Sequence, residues 1–191
     1  MNPHADVSNL SNQFLIAMPG MADSSFAASV VYICEHSPRG ALGLVINRPT
    51  DVVLKELFDR IELSLDQPDL AERTVYYGGP VQTERGFVLH DPTDQVYAST
   101  LQVPGGLQMT TSKDVLEHIS TGSGPSRFFV ALGYSGWGAG QLEEEIAHNG
   151  WLTVEADPAV VFDVPTEQRL DAAMSLMGIS SLSLSQTAGH A

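Results

Sequence analysis

Short apolar runs rich in β-branched residues stand in adjacent pairs along this chain, and only some of them are followed by a stretch with helical period. Gln13 to Met18, stopped by Pro19-Gly20, and Ser29 to Glu35 read as strands. Pro38-Arg39-Gly40 is a turn, and Ala41 to Ile46 closes a hairpin with the second run. Asn47-Arg48-Pro49 ends that strand, because proline cannot donate to a central ladder. Thr50 then suits a helix N-cap with Asp51 in the first turn, and Leu54, Leu57, Phe58 and Ile61 form one helical face. Asp66 to Arg73 reads as a polar loop.

Further on, Val75 to Tyr77 and Gly86 to His90 read as strands around Gly78-Gly79-Pro80. Tyr97 to Val103 and Leu107 to Thr110 form a second pair around Pro104-Gly105-Gly106. Ser112 to Thr121 is a short helix with Val115, Leu116 and Ile119 inward, and Arg127 to Leu132 is a strand. A glycine-rich segment, Gly133 to Gly140, leads to a helix carrying Leu142 and Ile146, which Asn149-Gly150 stops. Leu152 to Glu155 and Ala159 to Phe162 read as strands. The last helix presents Leu170, Ala173, Met174 and Met177 and ends at Gly178. A regular strand–helix alternation is missing. The pattern therefore predicts an α+β domain, with a mainly antiparallel or mixed sheet and helices packed outside it.

The 191 residues suit a single domain, and a hydrophobic fraction of 43% can fill its core. The expected ordered body is 10–179, between a flexible N-terminus, 1–9, and a small, polar, flexible tail, 180–191. The N-terminus has no basic region followed by an apolar one, and no run approaches the ~18 apolar residues a membrane helix needs. The expectation is a cytoplasmic protein without a membrane partner. Nine Lys and Arg against 23 Asp and Glu give a net charge of −14, which argues against direct nucleic-acid binding. Between Arg127 and Arg169 there is no Lys or Arg but there are seven acids: Glu143, Glu144, Glu145, Glu155, Asp157, Asp163 and Glu167. Such a run is usually a solvated face, and it could otherwise meet a basic protein partner.

Cys34, the only cysteine, excludes an internal disulfide and a multi-cysteine zinc site. In a regular strand Cys34 and His36 share a face, so a thiolate–imidazolium pair is one reading. The preferred reading is a core cysteine, since free cysteine is commonly buried. Arg48, beside Asn47, could hold a carboxylate or phosphate, though pairing with an internal acid ranks ahead of that. Gly133 to Gly140 has neither a G-x-G-x-x-G spacing nor the lysine of a phosphate loop. The glutamates Glu143 to Glu145 in the first turns of the following helix would repel a phosphate. Gly133-Tyr134-Ser135-Gly136 misses the nucleophile elbow by one position. His90, His118 and His148 have no metal-ligand spacing, and no cofactor or metal is expected.

Several stretches together resemble the AlgH/YqgE-like family of bacterial proteins: Gln13 to Ala22, Ser29 to Pro49, Gly78 to Gln82, Arg85 to His90, Leu132 to Ala147 and Asn149 to Thr153. The resemblance implies a bent, largely antiparallel sheet closing into a flattened barrel-like core with helices outside. No enzymatic activity is established for the family, and one member is described as a transcriptional regulator in exopolysaccharide control. The matched stretches contain Cys34, His36, Asn47, Arg48, Gly78, Gly79, Arg85 and Gly136, which become the candidate site residues. The expected function is that of a non-enzymatic regulatory or binding protein acting through a protein or small-molecule partner. Its site would lie near the Cys34–His36 strand and the Asn47–Arg48 turn. Two alternatives stand beside it: a thiol-dependent or redox-responsive protein using Cys34 with His36, and a direct DNA-binding regulator, which the net charge disfavours.

Overall fold

The structure, a computed structural model, describes residues 9–19 and 26–180. Apart from Asn9 and Ser180, the expected flexible ends lie outside the described residues. The strands are β1 (Gln13–Ala17), β2 (Val30–Ser37), β3 (Gly40–Val45), β4 (Pro49–Val53), β5 (Thr74–Tyr77), β6 (Val81–His90), β7 (Thr100–Gln102), β8 (Gln108–Thr110), β9 (Phe128–Gly138) and β10 (Trp151–Glu155). The helices are α1 (Leu54–Arg60), α2 (Asp114–Thr121), α3 (Gln141–Ala147), α4 (Pro158–Phe162) and α5 (Arg169–Ser175). The strands form one antiparallel half-barrel in the order β10-β1-β2-β3-β9-β6-β8-β7. A β4–β5 ribbon joins it through β5, which lies parallel to β9.

Side chains alternate between two faces along the regular stretches of the strands, as the pleat requires. Phe14, Ile16, Val30, Tyr32, Leu44 and Ile46 enter the central cluster, which α4 and α5 cover with Val160, Val161, Ala173 and Met174. The intervening Leu15, Val31, Ile33 and Val45 face outward against Leu142 of α3. At the other end of the sheet, Val88 and Val130 face outward against α1 and α2 through Leu57, Phe58, Val115 and Ile119.

Three local expectations are corrected. Thr50 caps no helix: it lies in β4, and its hydroxyl donates 2.6 Å to the Val75 carbonyl across the ribbon. Pairing with β5 overrides capping there. The first free amides of α1 are instead satisfied by backbone, Leu54 N–H to Arg73 and Lys55 N–H to Ala71. Ala159 to Phe162 is helix α4, not strand, because Asp157 accepts from the Ala159 amide and Pro158 opens the first turn. The strand expected over Arg127 to Leu132 does not stop at the glycine-rich segment: β9 continues through Gly133 and Gly136 to Gly138.

The glycines are there because backbones cross. The Gly78 amide donates to Leu132 of β9, and its carbonyl accepts from Val45 of β3 and from the Ser135 hydroxyl at 2.9 and 3.1 Å. A Cβ on Gly78 would stand 2.3 Å from the Gly133 carbonyl oxygen, and one on Gly133 would stand 2.4 Å from the Gly79 carbonyl oxygen. Gly133 also has φ +75°, which glycine alone adopts without strain. Gly133→Ala is therefore expected to cost at least about 2 kcal/mol from strain and clash together. Urea unfolding of the variant checks this, and a midpoint equal to wild type would contradict it.

Candidate functional site

The Cys34–His36 pair depends on an unbroken strand, and β2 is broken at Cys34. Ile33 pairs with Gly43 and Glu35 with Leu42, so two intervals on β2 oppose one on β3. This bulge reverses the alternation beyond it. Cys34 stays on the central face, 1% exposed. His36 pairs with Ala41, which pairs with Trp137, and all three lie on the opposite, α3 face. Burial pushes the Cys34 thiol well above its ordinary range, and the charge of Glu35 pushes it the same way. The thiol and the imidazole are not brought together.

His36 is instead held at both nitrogens. Nδ1 accepts from the Leu10 amide at 3.0 Å, so Nε2 carries the hydrogen and donates to Glu143 Oε1 at 2.5 Å. Partial burial pushes the Glu143 carboxyl up, but the hydrogen bond from His36 and its own backbone amide outweigh this and hold it below its ordinary value. Two residues on, Glu145 Oε1 accepts from the indole N–H groups of both Trp137 and Trp151, at 3.2 and 3.0 Å. Of the three consecutive glutamates, only Glu144 is exposed. Asp163 pairs with Arg127 and Asp157 caps α4. The acidic run is thus partly internal wiring rather than one solvated face.

Asn47 and Arg48 serve the opposite end of β2. Asn47 Oδ1 accepts from the Val30 amide at 2.9 Å and Nδ2 donates to Ala28 O, while Arg48 Nη2 donates to Ala27 O. Val30 and His36 are six residues apart on one strand, roughly 20 Å at ~3.3 Å per residue. The Cys34–His36 strand and the Asn47–Arg48 turn therefore do not form one site. Gly78 and Gly79 belong to the backbone crossing. Arg85 is exposed and donates to Gln82 and Thr111.

Gly136 lines a cleft. The β2–β3 hairpin stands between two concavities, one on each face of the sheet. On the central face, Glu35, Ser37, Arg39, Leu42, Tyr134 and Gly136 line an open cleft of about 450 Å³. On the α3 face, Asn9, Ser37, Pro38 and Gly140 surround the His36–Glu143 pair in a space of about 460 Å³. The first offers one charge of each sign, a hydroxyl and an aromatic wall, groups that can bind a polar ligand. Glu35 and Tyr134 escape sequence reading because the irregularities that turn them onto one surface leave no periodic signal, and Arg39 lies in the hairpin turn between β2 and β3. Among the described residues, no group of three or more His, Cys, Asp or Glu is placed to hold a metal ion, and no helix is long and apolar enough to cross a membrane.

Two outcomes are expected. Cys34 should not react with a small thiol probe in the native protein between pH 6 and 9 and should react fully once unfolded, as read by absorbance. Fast native reaction would contradict its burial. Because the folded Glu143 carboxyl lies below its unfolded value, its stabilisation is complete above the unfolded value and fades as pH falls through the folded one. Glu143→Gln should therefore lower the urea midpoint at pH 6 more than at pH 3. An equal loss at both would contradict the pairing with His36.

The family model described as AlgH-like matches residues 14–182. The chain is 66% identical over 183 residues to a UPF0301 protein of Paraburkholderia phymatum, covering 96% of each chain. It is 65% identical over 192 residues to a UPF0301 protein of Paraburkholderia phytofirmans, covering all of both. Its structure is similar to the solution structure of the AlgH protein from Pseudomonas aeruginosa, with TM-score 0.79, 49% identity and 97% of each chain covered. A protein of Corynebacterium diphtheriae, at 22% identity and TM-score 0.68 over 87% of this chain and 86% of that one, shares the fold.

Proposed function

The chain belongs to the AlgH-like family, and from that premise we propose that it is a non-enzymatic binding protein. It acts in regulation, through a protein or small-molecule partner received in the cleft beside the β2–β3 hairpin. The observation that carries this reading is the bulge at Cys34. It leaves the thiol in the core and the imidazole on the far face of the sheet, while it turns Glu35 toward Tyr134 and Gly136 in an open cleft. A thiol beside its base is what a thiol-dependent enzyme would need there, and charge, aromatic surface and shape are what a binding protein needs. Any effect on transcription would then be indirect. A net charge of −14 disfavours a duplex grip, and Lys55 and Arg127 of the nine cations already pair with acids.

Gly136 gives the test. A Cβ there meets the Tyr134 ring edge, at 3.2 Å, and the Val81 side chain, at 4.0 Å, and no backbone, so Gly136→Leu should fold and occupy the cleft. A small-fragment screen by amide NMR should give saturable shifts at Glu35, Arg39, Leu42 and Tyr134 in the wild type and lose them in the variant. Fragments clustering elsewhere, or binding unchanged in Gly136→Leu, would contradict the assignment.

A further inference from the structure

Arg169 is the one buried cation among the described residues, at 6% exposure. Among the described residues it has no carboxylate within salt-bridge distance, although the chain carries 23 acids. Its Nε donates to Val164 O at 3.0 Å and Nη1 donates to Ile46 O at 2.6 Å. The guanidinium lies 4.8 Å from the Tyr76 ring centre and 5.8 Å from that of Phe129. Two carbonyls and the neighbouring Tyr76 hydroxyl leave donors of its five N–H groups unused. Burial pushes its pKa down, opposed by the Tyr76 hydroxyl and the field of Glu167. The contrast with Arg127 is direct: that more exposed guanidinium holds both Asp91 and Asp163. A buried charge is ordinarily paired, because leaving it unpaired costs solvation free energy.

Arg169 also lines a cavity. β5 pairs with β9 over only two residue pairs, Tyr76 with Ala131 and Tyr77 with Leu132. Beside the unpaired stretch a space of about 140 Å³ is lined by Tyr76, Phe128, Phe129, Phe162 and Arg169, with Arg73 among them. Arg73 is exposed, lies 4.7 Å over the Phe128 ring and, among the described residues, has no carboxylate within salt-bridge distance. Two of only nine cations thus converge, without acids, on a small aromatic cavity in a strongly acidic protein.

We propose that this cavity is an anion site that takes a small planar carboxylate, its carboxylate bound by Arg169 with Arg73 as the second cation, and its flat body packed among the rings of Tyr76, Phe129 and Phe162. The guanidinium fork matches a carboxylate in plane, and the aromatic walls favour a flat organic body over a compact tetrahedral ion. The size fits as well: a cavity of roughly 150 Å³ accepts a benzene ring. The site is separate from the hairpin cleft and shares no lining residue with it.

The probe is sodium benzoate, followed by amide and arginine Nε–H NMR, with sodium phosphate as the comparison anion. Benzoate should give saturable shifts at Phe128, Phe129, Phe162 and Arg169, and phosphate at equal concentration should give none. Arg169→Ala also removes the bonds to Ile46 and Val164 and so tests the fold together with the site. Arg73→Glu, at an exposed position, tests the site alone and should raise the benzoate Kd at least tenfold. Phe162→Trp, which fills the cavity, should abolish the shifts in a folded spectrum. Gly136→Leu should leave benzoate binding unchanged, which separates this site from the cleft. The proposal is overturned by absence of saturable shifts, by equal affinity in Arg73→Glu, or by phosphate competing for the same resonances.

Discussion

The half-barrel depends on one crossing of backbones. β3 and β9 are antiparallel neighbours over Gly40 to Gly43, and then they must part, because β9 goes on to pair with β6 and β5. The peptide at Gly78 fills the gap. It takes the Leu132 carbonyl of β9 with its amide and gives its own carbonyl to Val45 of β3. Each such bond contributes only about 0.5–1.5 kcal/mol net, but a buried group left without its partner costs about 1–3 kcal/mol. The crossing is possible only where no side chain intervenes, so Gly78, Gly79 and Gly133 come together. From that point β9 reaches both halves of the sheet, and the helices cover whatever faces the strands present.

Irregularities in two strands decide where chemistry can sit. Along β9, Phe129 and Ala131 face the central cluster; after Gly133 the parity changes, and Tyr134 faces it instead. Along β2 the bulge at Cys34 does the same, so Glu35 takes the central face and His36 the outer one. The two shifts bring Glu35, Tyr134 and Gly136 to a common surface, and they take Cys34 and His36 apart. A bulge is one extra residue in a ladder, yet here it separates an activated thiol from an inert one.

Most of the strands and the α+β layout could be read from the sequence, because pairs of β-branched runs without alternating helices allow little else. The helical faces of α1, α2 and α5 were equally legible from Leu57, Val115 and Met174 at helical spacing. Failures came where tertiary pairing outweighed a local signal. Thr50 has the chemistry of a helix cap, but the Val75 carbonyl is a better-placed partner. Val160 and Val161 have strand propensity, but Asp157-Pro158 starts a helix and the central cluster accepts their side chains either way. The candidate site was less legible. Of its residues only Gly136 lines the cleft; Asn47, Gly78 and Gly79 hold the fold together. Arg169 stood one residue ahead of an apolar helical stripe, and nothing in the spacing reveals that its neighbours are carbonyls and rings.

The three-backbone crossing ties the two halves of the half-barrel into one cooperative unit, and native-state amide hydrogen exchange at Gly78 and Val45 measures this. If these two amides close the crossing, they exchange only through global unfolding, with opening free energies equal to the equilibrium stability and falling with denaturant at the full unfolding slope. Exchange of Gly78 and Val45 through local opening, at free energies well below the global value and insensitive to denaturant, would contradict it.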